Sequence, residues 1–137
     1  METAATVTGV EPIDATAFEN AWESLARCER RSLECVDACL SEDDVASMAE
    51  CIRRDLDCAA ACAATRGALT RWRSWDPFAV TALLDACIVV SARSADECLR
   101  HDHEHCRRCG EQSRECEAMC RALAAEIDRV VAQAMPA

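Results

Sequence analysis

Residues 28–39 read CERRSLECVDAC, residues 51–62 read CIRRDLDCAAAC and residues 109–120 read CGEQSRECEAMC, so cysteine recurs three times with spacings of seven and four. A fourth copy, CIVVSARSADEC at 87–98, keeps the frame with Ser94 in place of the middle thiol. At 100° per residue, positions i, i+7 and i+11 fall within about 40° of one another and extend about 16 Å along a helix axis. On a strand the mixed odd and even offsets would send the thiols to opposite faces, so the spacing selects helix and rejects β structure. Four copies predict four similar helices.

The boundaries are read from local signals. Thr16 with Glu19 and Ser41 with Asp44 fit the S/T-x-x-E/D pattern of a helix start, Gly67 suits a stop, and Asp76 before Pro77 sets a cap ahead of a proline at the first helical position. Pro136 lies near the end of the last helix. The expected helices are 16–40, 42–66, 77–100 and 103–134, preceded by a flexible segment at 1–15, with a short bridge around Trp72 and Trp75. Gly110 falls inside the fourth helix, where it costs up to about 1 kcal/mol relative to Ala. Connections this short make neighbouring helices antiparallel. The predicted fold is all-α: one up-down-up-down four-helix bundle over 16–137, with a cysteine-lined core.

Composition agrees that the thiols replace an ordinary interior. Leu, Ile, Val and Phe supply only 24 of 137 residues, and the net charge is -10, a balance typical of disordered chains. The 12 cysteines must therefore build the core or bind what does. The positions four residues into each stripe hold Ser32, Asp55, Ser91 and Ser113, polar side chains that a dry apolar core would not tolerate without partners.

All 15 basic residues are Arg against 25 acidic ones, which disfavours nucleic acid and anionic membranes as partners. No run of about 18 apolar residues offers a membrane span. The first 17 residues carry no basic region, twin Arg or apolar stretch of a secretory signal, which places the chain in the cytoplasm, where thiols stay reduced and cysteine-rich sequences bind metal.

The bundle has two dissimilar ends. Phe18, Trp22, Leu25, Leu69, Trp72, Trp75, Phe78, Val80, Leu83, Leu84, Leu123, Ile127, Val130 and Val131 gather at one end as an apolar plug. The other end collects Ser41, Glu42, Asp43 and Asp44 from one loop and His101, Asp102, His103, Glu104 and His105 from the other, with Met48 just inside. It reads as a mouth bearing soft and borderline metal ligands. The bland readings differ by residue. Two or three stripe cysteines could be packing alone, eleven or twelve could not. His101, His103 and His105 read equally as ligands or as solvated caps, Met48 reads as core more readily than as ligand, Asp55 is either a ligand or the partner of an Arg, and residues 42–44 form a solvated turn.

Thiolates select Cu(I), Zn(II) or iron–sulfur clusters. Structural zinc favours CxxC knuckles in loops, and only Cys106 and Cys109 have that spacing. Iron–sulfur sites concentrate cysteines in one short loop, whereas these run along helices. The CxxxC pairs Cys35/Cys39, Cys58/Cys62 and Cys116/Cys120 suit Cu(I) held between sulfurs, and sulfurs that bridge two ions allow on the order of ten Cu(I) per chain.

The repeated stripes and the segment 101–120, HDHEHCRRCGEQSRECEAMC, resemble the bacterial copper storage proteins over about residues 16–134. The resemblance implies a four-helix bundle filled with Cys, high-capacity Cu(I) binding, entry at the His-bearing end, a homotetramer and the cytosolic branch of the family. Family stripes commonly carry Cys where this chain has Ser32, Asp55, Ser91 and Ser113. The reading is a non-enzymatic cytosolic store or buffer of Cu(I). Ions enter past His101, His103, His105 and Met48, pass to Cys39, Cys98 and Cys106, and fill the tube through Cys35, Cys51, Cys58, Cys109 and Cys116 toward Cys28, Cys62, Cys87 and Cys120. Two rival readings are a structural zinc-binding helical protein and a thiol redox sensor using Cys106 and Cys109.

Overall fold

The structure, a computed structural model, describes residues 13–134. Every regular element among them is helical: α1 Ala15–Leu40, α2 Ala49–Thr70, α3 Pro77–Cys98 and α4 Glu104–Ala134, with short 3-10 turns at Val45–Met48 and Trp72–Ser74. α1 and α3 each pack against α2 and α4, which closes the expected antiparallel four-helix bundle.

The caps explain where expected and observed boundaries part. Asp14, rather than Thr16, caps α1, its Oδ1 accepting the N–H of Thr16 at 2.8 Å and of Ala17 at 3.1 Å. Ser41 ends α1 instead of opening α2. Asp44 caps the 3-10 turn instead, accepting the Ser47 N–H at 3.4 Å, and α2 starts at Ala49, seven residues later than expected. Gly67 does not stop α2. A side chain there would meet nothing within 4 Å, and the helix continues to Thr70, carrying Leu69 into the core. α3 ends at Cys98, two residues early, with the Leu99 N–H on the Ala95 carbonyl at 3.0 Å. Its N-terminus is as expected: Asp76 accepts the N–H of Phe78 at 3.0 Å and of Ala79 at 3.3 Å, ahead of Pro77.

The apolar plug is built from Phe18, Leu25, Leu69, Trp75, Val80, Leu84, Leu123, Ile127 and Val130, with Trp22, Trp72 and Val131 half-buried around it. Each fully buried side chain of this size contributes roughly 1.5–3 kcal/mol. Ile13 joins them at 1% exposure, so the chain enters the core just before α1; residues 1–12, most of the expected flexible segment, lie outside the described residues, as does Pro136. Phe78 corrects the expectation. It stands 76% exposed on the outer face of the first turn of α3. Gly110 gains a reason: a Cβ there would lie 2.6 Å from Leu99 Cγ and 2.7 Å from Cδ2, so glycine lets the residue after α3 fold across α4.

α3 also departs from the expectation about membrane spans. By length and mean hydropathy, 1.6 over an 18-residue window, it is apolar enough to cross a membrane, although not as an unbroken apolar run. A third of that window, 33%, is buried in the bundle, with Val80, Leu84, Cys87, Ser91 and Ser94 among the buried residues, while Phe78 and Val89 stay exposed on the outer face.

Candidate metal centre

The helical stripes turn inward as expected. All 12 cysteines are buried and none is in a disulfide. They fall into two groups of six. Near the mouth, Cys35, Cys39, Cys51, Cys98, Cys106 and Cys109 cluster with Met48, which is 1% exposed. Toward the plug, Cys28, Cys58, Cys62, Cys87, Cys116 and Cys120 merge with the apolar core.

A polar layer separates the groups. Ser32, Asp55, Ser91, Ser94 and Ser113 are all fully buried. Ser94 donates to Asp55 Oδ1 at 3.1 Å and Ser113 donates to Ser94 at 3.5 Å. Ser113 also lies 3.8 Å from Cys28 Sγ, and Ser91 lies 3.7 Å from Cys58 Sγ, so the layer touches the plug-side thiols as well. Among the described residues Asp55 is bonded to no arginine. Its carboxylate takes the thiols of Cys98 and Cys109, each at 3.3 Å, and that of Cys51 at 3.8 Å. Burial, reinforced by the neighbouring Cys109, pushes this carboxyl up from 3.8 to about 7. The alternative of an Asp55–Arg pair is thereby removed.

Sulfur contacts are short enough for shared ions. Cys51 and Cys98 are 3.3 Å apart, Cys28 and Cys58 3.4 Å, Cys35 and Cys39 3.8 Å, Cys62 and Cys116 3.9 Å and Cys116 and Cys120 4.0 Å. Several sets bring their donor atoms within 4.8 Å of one another: Cys35, Cys39, Cys106 and His105; Cys35, Cys39, Cys51 and Asp55; Cys35, Asp55, Cys98 and Cys109; and Cys28, Cys62 and Cys116. Hydrogen bonds from Cys35 and Cys98 hold the Cys51 thiol low, and those from Cys120 and Cys62 hold Cys87 low. Cys116 is lowered as well, by Cys120, Cys28 and Cys62, so each group contains thiols whose neighbours favour the thiolate, the form that binds metal. Burial raises Cys106, and Cys109 stands raised to about 11, although its hydrogen bond with Cys35 pulls the other way and Cys98 and burial outweigh it.

The three histidines divide. His105 joins the mouth, its Nδ1 3.5 Å from Cys106 Sγ, 3.6 Å from Cys35 and 4.0 Å from Cys39, while its Nε2 sits 2.9 Å from Glu42. His103 lies over it, 3.4 Å from Glu42 and stacked on the His105 ring. His101 turns to Glu97 at 2.9 Å, on its own side of the mouth. The sequence reading missed Glu42 and left it in a solvated turn. The available signal was its place in the loop facing the His segment.

A family model described as copper storage protein matches residues 14–125. The chain belongs to the copper storage protein family. Among solved structures, Ccsp of Streptomyces lividans loaded with 10 copper equivalents is 43% identical, with a TM-score of 0.83 over 89% of this chain and 92% of that one. A cytosolic copper storage protein from Streptomyces lividans with five coppers is 45% identical, with a TM-score of 0.78 over 80% and 93%. The Cu(I)-bound copper storage protein BsCsp3 is 29% identical, with a TM-score of 0.72 over 79% and 98%. No curated protein sequence matches. The family assignment agrees with the sequence resemblance, and the bundle of this family member presents its thiols inward along all four helices.

Proposed function

We propose that this family member stores or buffers multiple Cu(I) ions on the thiolates lining its bundle, as a non-enzymatic protein of the cytosol. The observation that carries the reading is the burial of 12 free cysteines facing one another in a single tube, with sulfur separations as short as 3.3 Å. Each Cu(I) displaces thiol protons as it binds, and a sulfur that bridges two ions lets the count approach one ion per thiol. A relative loaded with 10 copper equivalents and another described as cytosolic support the capacity and the compartment.

Cu(I) enters at the mouth. His105 offers Nδ1 beside Cys35, Cys39 and Cys106, and Met48 lines the same group with a soft thioether. His101 and His103, at the rim, meet ions first. Ions then occupy Cys51, Cys98 and Cys109, pass the serine and aspartate layer, and fill Cys28, Cys58, Cys62, Cys87, Cys116 and Cys120 against the plug. Asp55 gathers with five of the mouth-side thiols, Cys35, Cys39, Cys51, Cys98 and Cys109, and adds an oxygen donor. Ser91, Ser94 and Ser113 hold hydrogen bonds rather than copper, since a neutral hydroxyl is a poor ligand for a soft ion.

Association into a homo-oligomer, a tetramer, completes the reading. The outward strip of α3, with Phe78, Ala82, Ala86 and Val89 at helical spacing, supports it as an apolar surface available to a second copy. Light scattering on the purified chain tests it, and a monomer at micromolar concentration would refute it.

The deciding experiment is anaerobic titration of the reduced chain with Cu(I) against a competing chromogenic chelator. Tight uptake of on the order of ten ions is expected. Saturation at three or fewer, or preference for zinc, would return the thiols to discrete structural sites. C35S/C39S lowers the count; an unchanged count would sink the inward stripe as the store. The redox-sensor alternative loses support because Cys106 and Cys109 are buried, with thiols raised rather than lowered.

A further inference from the structure

The mouth carries a second donor set whose chemistry differs from that of the tube. Glu42 Oε1 lies 2.9 Å from His105 Nε2 and 3.4 Å from His103 Nδ1, and the three donor atoms fall within 4.8 Å of one another. The two rings stack with centroids 5.2 Å apart and planes 10° apart, which brings one nitrogen of each to the same carboxylate oxygen. Backbone hydrogen bonds fix both loops. The Glu42 N–H is on the Cys39 carbonyl at 3.2 Å, and the His103 carbonyl accepts the Arg107 N–H at 3.0 Å.

A tetrahedral Zn(II) with bonds of about 2.0–2.1 Å has ligand–ligand edges of about 3.3 Å, and the two carboxylate–imidazole separations, 2.9 and 3.4 Å, lie within a few tenths of an ångström of that edge, with the two ring nitrogens inside 4.8 Å of each other. Two imidazoles and a carboxylate suit borderline divalent cations, as buried thiolates suit Cu(I). The side chains are 30%, 43% and 23% exposed for Glu42, His103 and His105, leaving a coordination position open to solvent. Exposed Asp43, Asp44 and Asp102 lie in the same two loops and raise the local concentration of cations.

We infer that Glu42, His103 and His105 form a separate site for one borderline divalent cation of the Zn(II) class, and that its occupancy excludes Cu(I) from His105. The site itself stands on the geometry of the three side chains, whereas the exclusion rests on the storage reading above. His105 makes the two ions rivals. Its Nε2 faces Glu42 while its Nδ1 faces Cys35 and Cys106. A neutral imidazole carries one proton, so a cation on Nε2 leaves that proton on Nδ1, turned toward the thiols. Cu(I) on Nδ1 leaves it on Nε2, donating to Glu42. By linkage each ion weakens the other by the same factor.

The test is an anaerobic Zn(II) titration of the reduced, copper-free full chain, followed by NMR of the histidine ring nitrogens in the wild type, E42Q and H103Q. Zn(II) is expected to shift His105 Nε2 and His103 Nδ1 together, to leave the proton on His105 Nδ1, and to bind each variant at least about tenfold more weakly. Shifts confined to cysteine signals, or equal affinity in the wild type and both variants, would overturn the site. Cu(I) binding in equilibrium competition with a chelator, with and without one equivalent of Zn(II), reads the exclusion: affinity for the first Cu(I) falls about fivefold or more in the wild type and not in E42Q. An equal fall in both places zinc on the thiols and overturns it. Failure to take up Cu(I) even without zinc would sink the storage reading, while the ring-nitrogen shifts still decide the site.

Discussion

Asp55 shows how one residue can be legible as chemistry and illegible as contact. Its place on the cysteine stripe of α2 marks it as an inward carboxylate, but nothing in the sequence separates an arginine partner from a ring of thiols. The structure does so, because Ser94 and Cys98 on α3 and Cys109 on α4 meet it across the bundle. With its pKa raised from 3.8 to about 7, the folded chain keeps a proton that the unfolded chain loses near pH 3.9. The native state therefore binds more protons between about pH 4 and pH 7, and stability falls as pH rises through that window before levelling off. D55N removes this titration. Denaturant unfolding of the copper-free protein at about pH 4.5 and about pH 7.5 should show the wild type losing on the order of 3 to 4 kcal/mol more than D55N. Parallel behaviour of the two proteins would mean that Asp55 is not held in its acid form by the fold.

At the scale of the helices, capping chemistry outranks motif matching. The Ser41–Asp44 pattern suggests a helix start, yet Ser41 closes α1 with its N–H on the Ala38 carbonyl at 3.1 Å and its hydroxyl on Asp37 at 3.1 Å. The loop then has room to place Glu42 beside the histidines. Asp76 is the contrasting case, where cap and proline agree with each other. D76A should cost about 1 kcal/mol and lower the midpoint of thermal unfolding by a few degrees, with circular dichroism as the measurement. An unchanged midpoint would mean that packing alone sets the start of α3. Gly110 could not be explained from its own helix. Its reason is Leu99, eleven residues away and beyond the end of α3, which occupies the space of the missing side chain. The outer faces are held by short-range ion pairs such as Arg30–Glu34 at 3.3 Å and Arg54–Glu50 at 2.9 Å, each worth about 0.3–0.5 kcal/mol.

Across the whole molecule, the apolar side chains close one end and the thiols run from the mouth up to them. The plug excludes water without help from metal, so the reduced, copper-free chain should give the circular dichroism of a folded helical bundle. A coil that becomes helical only with zinc would favour a structural metal site. Leu84, fully buried in the plug, touches the question from the other side. L84A should cost roughly 2–5 kcal/mol in chemical denaturation while leaving the Cu(I) count in a chelator titration unaltered. A fall in both would show that plug and thiols are not separable. The serine and aspartate layer divides the tube into two groups of six thiols, so filling in two stages is the expected consequence of this architecture.

The seven-and-four spacing by itself determined the helices, their inward faces and the bundle, because a 3.6-residue period leaves those cysteines one narrow stripe. It also carried the family resemblance. Only the tertiary structure decided that Asp55 sits among thiols, that Glu42 completes a set with His103 and His105 while His101 turns to Glu97, and that Phe78 stays in solvent. These outcomes depend on side chains from different helices and loops meeting at distances of about 3 to 4 Å, and the period of one helix contains no information about its neighbour's rotation or the path of the loop between them.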